Sequence, residues 1–171
     1  MTRFALLSVT LSASLALAGW TQQGDGEASF DAKGNIGMKI HGVAKKLAVA
    51  DDGKALTLTV KFDDISTDNT LRDSHLKEDT EATKYPDITL TVPLEGLKLD
   101  GGSGTAKGTF AMHGQSKAVS FKYSSRVKDG VTHVEGNADI SLKDYGVKVR
   151  SYLGVTVKPE VSVAAKFSLK Q

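Results

Sequence analysis

The amino-acid sequence predicts an all-β fold of about eight antiparallel strands, with one short helix in a long crossover near residues 70–84. Long segments alternate apolar and polar residues with a period of two, which is typical of strands with one dry and one wet face. Turn signals that contain glycine separate these segments. Only the charged stretch "TLRDSHLKEDTEATKYP", residues 70–86, departs from the alternation, and this departure indicates the helix.

The alternation assigns an inward face to each predicted strand. In "KALTLTVKF", for example, apolar side chains alternate with Thr57, Thr59 and Lys61. Because successive side chains point to opposite faces, residues of one parity pack together. The predicted inward residues are Leu56, Leu58, Val60, Phe62, Ile88, Leu90, Val92, Leu94, Val119, Phe121, Tyr123, Val127, Val155, Val157, Val161, Val163, Ala165, Phe167 and Leu169.

The turn signals fix the connections. "DDG" at 51–53 and "KDG" at 128–130 predict hairpin turns in which glycine supplies the positive φ. Pro93 and Pro159 cannot donate a ladder hydrogen bond, so each marks a strand edge or a bulge. No linker interrupts residues 19–171, which we interpret as a single domain.

A short repeat relates "MKIHGVAKKLAV" to "FAMHGQSKAVSF", with Gly42 and Gly114 aligned. The simplest interpretation is two similar hairpin corners. Zinc would need three or four converging ligands, and the four histidines are dispersed without metal-binding spacing. We therefore predict neither a metal site nor a cofactor. The histidines are His41, His75, His113 and His133.

The predicted helix begins at a sequence that resembles a capping box, Thr70 with Asp73 three residues later. Pro86 forces an extended exit. We expect one or two helical turns with a thin apolar stripe. The stripe consists of Leu71, Leu76, Ala82 and Tyr85.

Residues 1–18 have the features of a secretory signal peptide. A short basic start, "MTR", precedes an apolar segment and a small-x-small site, "ALA", at 16–18. The alternative is an uncleaved anchor, for which the apolar run is short. The chain has no cysteine, which excludes disulfides, thiolate metal sites and a lipidated amino terminus. The mature protein is therefore expected in the bacterial periplasm.

Composition and motifs argue against two functional classes. The formal net charge is +2 with both signs interspersed, so nucleic-acid binding has little support. Asp73, Ser74 and His75 are adjacent, whereas a catalytic triad needs side chains that converge from different elements. No nucleophile elbow or phosphate loop is present. We predict no catalytic residues, and an enzyme is the weaker alternative.

The pattern alone leaves the architecture open between two folds. An eight-stranded barrel has room for its own side chains or for one slender ligand. Aromatic residues make up only 6% of the chain, which favours spare apolar volume inside. A β-sandwich with a filled core fits the alternation equally well.

Three segments resemble the YceI-like family. The first, "ISTDNTLRDSHLKEDTEATKYPDITLTV", is similar to the family's Arg-Asp-x-His-(Leu/Met) element with its later (Lys/Arg)-Tyr-Pro. The second, "GTFAMHGQSKAVSFKY", looks like its later hairpin, and the third, "ADISLKDYGVKVRSYLGVTVKPEVSVAAKF", like its C-terminal part. The resemblance covers roughly residues 30–169. It implies an extended, lipocalin-like, eight-stranded antiparallel barrel with a helix in the crossover.

The resemblance also implies a function, the binding of a long isoprenoid, an isoprenoid quinone or another amphiphilic lipid along the barrel axis of an exported bacterial protein. Transient contact with a membrane or a membrane protein belongs to this expectation. The segment "GDGEASFDAKGNIGMKIHG" is shorter than the family's first hairpin and lacks its aromatic-x-Ile-Asp-x-x-His-Ser motif. The resemblance therefore does not fix the shape of one end of the pocket. The alternative function is a periplasmic stress or interaction protein with a filled barrel.

Two sets of residues are candidates for lipid contact. The lumen candidates are Leu58, Val60, Leu90, Val92, Val119, Phe121, Val163 and Phe167. The candidates for a head group at the mouth are Arg72, His75 and Tyr85. Arg72 has a structural alternative, an ion pair with Asp73 or Glu78. His75 could instead pack half-buried under the helix, and Tyr85 could anchor the crossover on the barrel.

Overall fold

The computed structural model describes residues 19–152 and 154–171, and the predicted signal peptide at 1–18 lies outside the described residues. Within them the chain forms one α-helix, α1, at Thr70–Asp79 and three short 3-10 helices at Asn35–Gly37, Phe62–Asp64 and Leu142–Tyr145. The strands are β1 Thr21–Gln22, β2 Gly26–Gly34, β3 Lys39–Asp51, β4 Ala55–Lys61, β5 Ile65–Ser66, β6 Asp87–Pro93, β7 Gly102–Met112, β8 Gln115–Lys128, β9 Val131–Ser141, β10 Ser151–Tyr152 and β11 Val155–Lys170.

Eight of these strands close into an antiparallel barrel in the order β2, β3, β4, β6, β7, β8, β9, β11. The last strand completes the ring, because β11 pairs with β9 on one side and with β2 on the other. Ala164 of β11, for example, lies opposite both Asn137 and Ser29. The predicted barrel is confirmed, and the sandwich is excluded.

The predicted turns and breaks lie where the sequence places them. Gly53 and Gly130, with φ angles of 84° and 73°, form the β3–β4 and β8–β9 turns. Pro93 ends β6. The register of β11 against β2 shifts between Val157 and Val161, around Pro159.

The inward assignment of Val155 lies outside the described side chains. Among the described ones, one inward assignment is wrong. Val127 is 48% exposed, because β8 ends one residue later and the side chain lies beside the turn to β9.

The predicted pair of His-Gly corners is half wrong. His113 and Gly114, with φ angles of 50° and 71°, form the two-residue turn between β7 and β8. Gly42, in contrast, lies inside β3, opposite Phe30 of β2. A Cβ atom at position 42 would overlap the Phe30 ring. This glycine therefore makes space for an aromatic ring instead of bending the chain.

The helix is longer than predicted and begins with a different cap. The Asn69 side chain, instead of that of Thr70, accepts a hydrogen bond from the Arg72 N–H at 3.0 Å. The helix has ten residues and ends at Asp79. Leu71 is 66% exposed, so it does not belong to a buried stripe, whereas Leu76 packs against the core. Among the described residues, no helix is long and apolar enough to cross a membrane.

Candidate functional site: an apolar cavity inside the barrel

The barrel contains a cavity of about 160 Å³. All eight barrel strands contribute to its wall, β7 through Phe110 alone, and Ile65 of β5 adds to it. All eight predicted lumen candidates line it: Leu58, Val60, Leu90, Val92, Val119, Phe121, Val163 and Phe167. Their contact with a lipid remains a prediction.

The cavity exists because one wall carries small side chains. On β2, β9 and β11 the lining includes the small residues Ala28, Gly136, Ala138 and Ala165 beside the larger Phe30, Val163 and Phe167, whereas β4, β6 and β8 contribute mainly leucine, isoleucine, valine and phenylalanine side chains. Protein interiors are normally close-packed. Here the small side chains leave the inward-pointing Val163 only half-buried, since part of its surface borders the cavity.

The lining carries no charged side chain. Ser29, Thr89 and Asn137 contribute to the wall, but strand alternation turns their side chains outward. Within the described part of the chain, no three His, Cys, Asp or Glu side chains gather into a group that could hold a metal ion. The cavity therefore suits a hydrocarbon, because a buried polar group without a partner would be costly.

The end of the barrel beside the β3–β4 turn is closed by the loop at residues 94–101. Leu97 of this loop lines the cavity, and Leu99 is buried behind it. Three inward side chains hold the loop: the Tyr123 hydroxyl accepts from the Lys98 N–H at 2.8 Å, Ser125 donates to the Lys98 carbonyl at 2.6 Å, and Thr132 donates to the Leu99 carbonyl at 3.1 Å.

The opposite end, beside α1, is also filled. Phe62, Tyr145 and Val147 are buried there. The Tyr145 ring packs edge-on against Phe110, with 5.4 Å between ring centroids, and Phe110 lines the cavity. Burial and the neighbouring Asp144 raise the pKa of the Tyr145 hydroxyl above its usual value.

Arg72 is engaged in the crossover. Its Nε and Nη2 atoms donate to the hydroxyl and the carbonyl of Thr67 at 2.9 and 2.8 Å. Among the described ion pairs, Arg72 makes none with Asp73 or Glu78. The structural role expected for Arg72 is therefore present, but its partner is Thr67. Arg72 does not line the cavity, and a contact with a lipid head group remains a prediction.

Asp73 belongs to the same hydrogen-bond network. Its carboxylate accepts the Thr67 N–H at 2.9 Å and the Thr67 hydroxyl at 2.5 Å. Partial burial alone would raise the pKa of Asp73, but the hydrogen bonds from Thr67 and Ser66 outweigh it and hold the pKa below its usual value. Through these hydrogen bonds the Asp73 carboxylate holds the segment before α1 against the first turn of the helix.

The other two mouth candidates also lie outside the cavity lining. His75 is half-buried on α1. Tyr85 packs edge-on against His113 of the β7–β8 turn, with 5.3 Å between ring centroids. The predicted packing of Tyr85 onto the barrel is thus present. For both residues, contact with a head group stays a prediction.

The comparison with known families decides where the chain belongs. A family model described as the YceI-like domain matches residues 24–169. The chain belongs to the YceI-like family. The predicted family resemblance is thereby confirmed. Among curated proteins, no sequence matches this chain.

Solved structures share the fold of this YceI-like chain at low sequence identity. BcnA of Burkholderia cenocepacia has a TM-score of 0.68 at 15% identity, over 84% of this chain and 95% of BcnA. A polyisoprenoid binding domain from Saccharophagus degradans, implicated in plant cell wall breakdown, has a TM-score of 0.71 at 14% identity, over 88% and 97%. A mutant of the Campylobacter jejuni YceI protein has a TM-score of 0.53 at 23% identity, over 83% and 85%.

The predicted inward residues of this YceI-like lumen do not include Phe30, Ala44, Leu47, Ile65 and Phe110, which also line the cavity. Two further features were not predicted. The first is the small wall at Ala28, Gly136 and Ala138, whose residues have the inward parity of their strands but lack the bulk that marks a core position. The second is Leu97, which lies outside any strand. The clue to Leu97 was the apolar series that continues past Pro93 in "PLEGLKL".

Proposed function

We propose that this protein binds the apolar tail of an isoprenoid lipid in the barrel lumen, as a carrier or store in the bacterial periplasm. The observation that carries the proposal is the uncharged apolar cavity inside a closed barrel. Export to the periplasm rests on the predicted signal peptide at residues 1–18. The polyisoprenoid binding domain with the same fold supports an isoprenoid as the ligand class.

Apolar burial supplies the driving force in this proposal. A tail that buries about 200 Å² of apolar surface gains about 5 kcal/mol, at about 25 cal/mol per Å². Ordering the tail and losing its free translation offset part of this gain. Because the lining has no charged side chain, the lumen recognises the tail, and the head group is bound outside the cavity lining.

The cavity volume bounds how much of the tail is enclosed. A dry apolar cavity of about 150 Å³ takes up one benzene-sized molecule. The volume of about 160 Å³ in this barrel therefore corresponds to about one or two isoprene units. Because buried side chains fill both ends of the barrel, a tail enters only when the side chains at the end beside α1 move apart. A longer chain then leaves the rest of its length outside the lumen or widens the lumen around itself.

A filled barrel without a lipid ligand is the second candidate. The observation in its favour is that buried side chains close both ends, with Leu99 at one and Tyr145 at the other. In that case the remaining cavity is a packing defect of the barrel, and the protein acts through its surface in a stress response or a protein interaction.

A matched pair of substitutions in β11 distinguishes the two candidates. Both residues border the cavity, but strand alternation turns the Ala165 side chain inward, whereas Ala164 is exposed and its side chain lies on the outer face. We expect Ala165→Leu to abolish the uptake of a fluorescent farnesyl probe, because the added side chain fills the lumen, and Ala164→Leu to leave uptake unchanged. Equal uptake by both folded variants would contradict the lumen as the binding site. No uptake by the wild type would favour the filled barrel.

A further inference from the structure

The loop at residues 94–101, which we call the floor loop, forms one boundary of the cavity. Leu97 lines the cavity from this loop. Leu99 is 6% exposed and belongs to the main core cluster. The loop therefore lies across the end of the barrel, where it limits the cavity along the barrel axis.

The barrel carries polar side chains that serve this loop. Strand alternation turns Tyr123, Ser125 and Thr132 inward, where polar groups are rare, and all three are buried. Each makes its hydrogen bond to the backbone of Lys98 or Leu99 in the floor loop. A buried hydroxyl without a partner is costly, so these three residues favour the loop in this position.

Backbone hydrogen bonds hold the floor loop at its start as well. The Leu94 N–H donates to the Lys54 carbonyl in the β3–β4 turn at 2.8 Å, and the Leu97 N–H donates to the Leu94 carbonyl at 3.1 Å. The loop is thus attached to β8, to β9 and to the β3–β4 turn. An element fixed on several sides acts as a wall and does not yield readily to a ligand.

We propose that Leu97 is the stop that sets how many isoprene units the lumen accepts. This inference rests on the proposed lipid-binding function and adds its chain-length selectivity. The tail end meets the Leu97 side chain, and the floor loop keeps that side chain in place. The size of residue 97 then determines the depth of the cavity, and the hydrogen bonds of Tyr123, Ser125 and Thr132 determine how firmly the stop is held.

The test compares the binding of geraniol, farnesol and geranylgeraniol, each one isoprene unit longer than the last, by displacement of a fluorescent farnesyl probe. Leu97→Ala should increase the affinity for geranylgeraniol relative to that for geraniol by about tenfold. This is the gain expected from burying about two further methylene-sized groups. Leu97→Phe should shift the preference towards the shortest alcohol. Tyr123→Phe removes the acceptor of the Lys98 N–H, and should weaken the discrimination between the three alcohols.

The matched control is Leu94→Ala in the same loop. Leu94 packs against the core but does not line the cavity, so this variant should lower the melting temperature and leave the chain-length preference unchanged. The wild type could bind the alcohols while the folded Leu97→Ala and Leu97→Phe variants show the same chain-length preference as the wild type. That result would contradict the role of Leu97 but not the lipid-binding function. If the folded wild type binds none of the three alcohols, both the role of Leu97 and the proposed lipid-binding function are wrong.

Discussion

The Nε atom of Arg150 lies 2.7 and 2.9 Å from the two carboxylate oxygens of Asp79. The same guanidinium donates to Glu78 at 2.6 Å. It therefore joins the last turn of α1 to the segment before β10, which is distant in sequence. The charges of residues 70–86, which look like a functional cluster in the sequence, here fix the crossover onto the barrel.

Arg150→Met should destabilise the protein slightly, because it removes the partner of Glu78 and Asp79. These groups are partly exposed to solvent, where ion pairs contribute little and are screened by salt. Urea unfolding at low salt should show a small loss of stability that shrinks in about 1 M NaCl. A loss as large as that of a core substitution, unchanged by salt, would contradict a surface role.

Asp73→Asn should destabilise the protein at pH 7 by about 1 kcal/mol, the difference between hydrogen bonds to a charged and to a neutral acceptor. The folded state lowers the pKa of Asp73. The stability from this group is therefore complete above the unfolded pKa of about 3.9 and is lost as the pH falls through the folded value. Unfolding curves of the wild type and Asp73→Asn should converge below about pH 4. If the difference in stability between the two proteins stayed constant down to pH 2, the negative charge of Asp73 would not be the source of the stabilisation.

Gly114→Ala should cost more stability than Gly130→Ala. Both glycines are in hairpin turns with positive φ, where a Cβ costs about 1–2 kcal/mol. At Gly130 the added atom meets nothing within 4 Å, whereas at Gly114 it lies 2.7 Å from the Tyr85 ring. Thermal unfolding of both variants measures the difference. Adding Tyr85→Ala to Gly114→Ala should remove the additional destabilisation. If Gly114→Ala and Gly130→Ala destabilise the protein equally, Tyr85 does not pack on this turn.

Phe121→Glu and Val163→Glu should each abolish folding or ligand uptake, because they place a charge on the inner face. Phe121 is 9% exposed, and burying an unpaired carboxylate there costs several kcal/mol. Lys122→Glu is the control, since Lys122 is exposed on the outer face of the same strand. Melting curves and uptake of the farnesyl probe provide the readout. Wild-type behaviour of both inner variants would mean that the inward assignment is wrong.

The alternation in β8 and β11 predicted the inner face because strand geometry forces successive side chains to opposite sides. It could not predict where the faces open into a cavity. That outcome depends on which strands become neighbours. The pairing of β11 with β9 on one side and with β2 on the other brings Gly136, Ala165 and Ala28 together.

The sequence patterns did not determine which contacts Gly42 and Arg72 make or where β6 ends. Gly42 and Gly114 share a sequence context, but Phe30 on a neighbouring strand determines the role of the first. Arg72 has two carboxylates within reach in the sequence, yet its guanidinium bonds to Thr67. Leu94 was assigned to a strand, although β6 ends at Pro93 and the floor loop follows. Only for Gly42 is the deciding residue distant in the sequence, since Thr67 lies five residues before Arg72 and Pro93 directly precedes Leu94.

The central claim is that an isoprenoid tail occupies the barrel lumen, and mass spectrometry of the exported protein tests it most directly. Native spectra of the intact protein and spectra of its organic extract should show about one prenyl lipid per chain. The Ala165→Leu variant, purified in parallel, should have lost this lipid, and Ala164→Leu should have kept it. Protein that is empty after purification and also fails to take up prenyl alcohols or quinones would contradict the account.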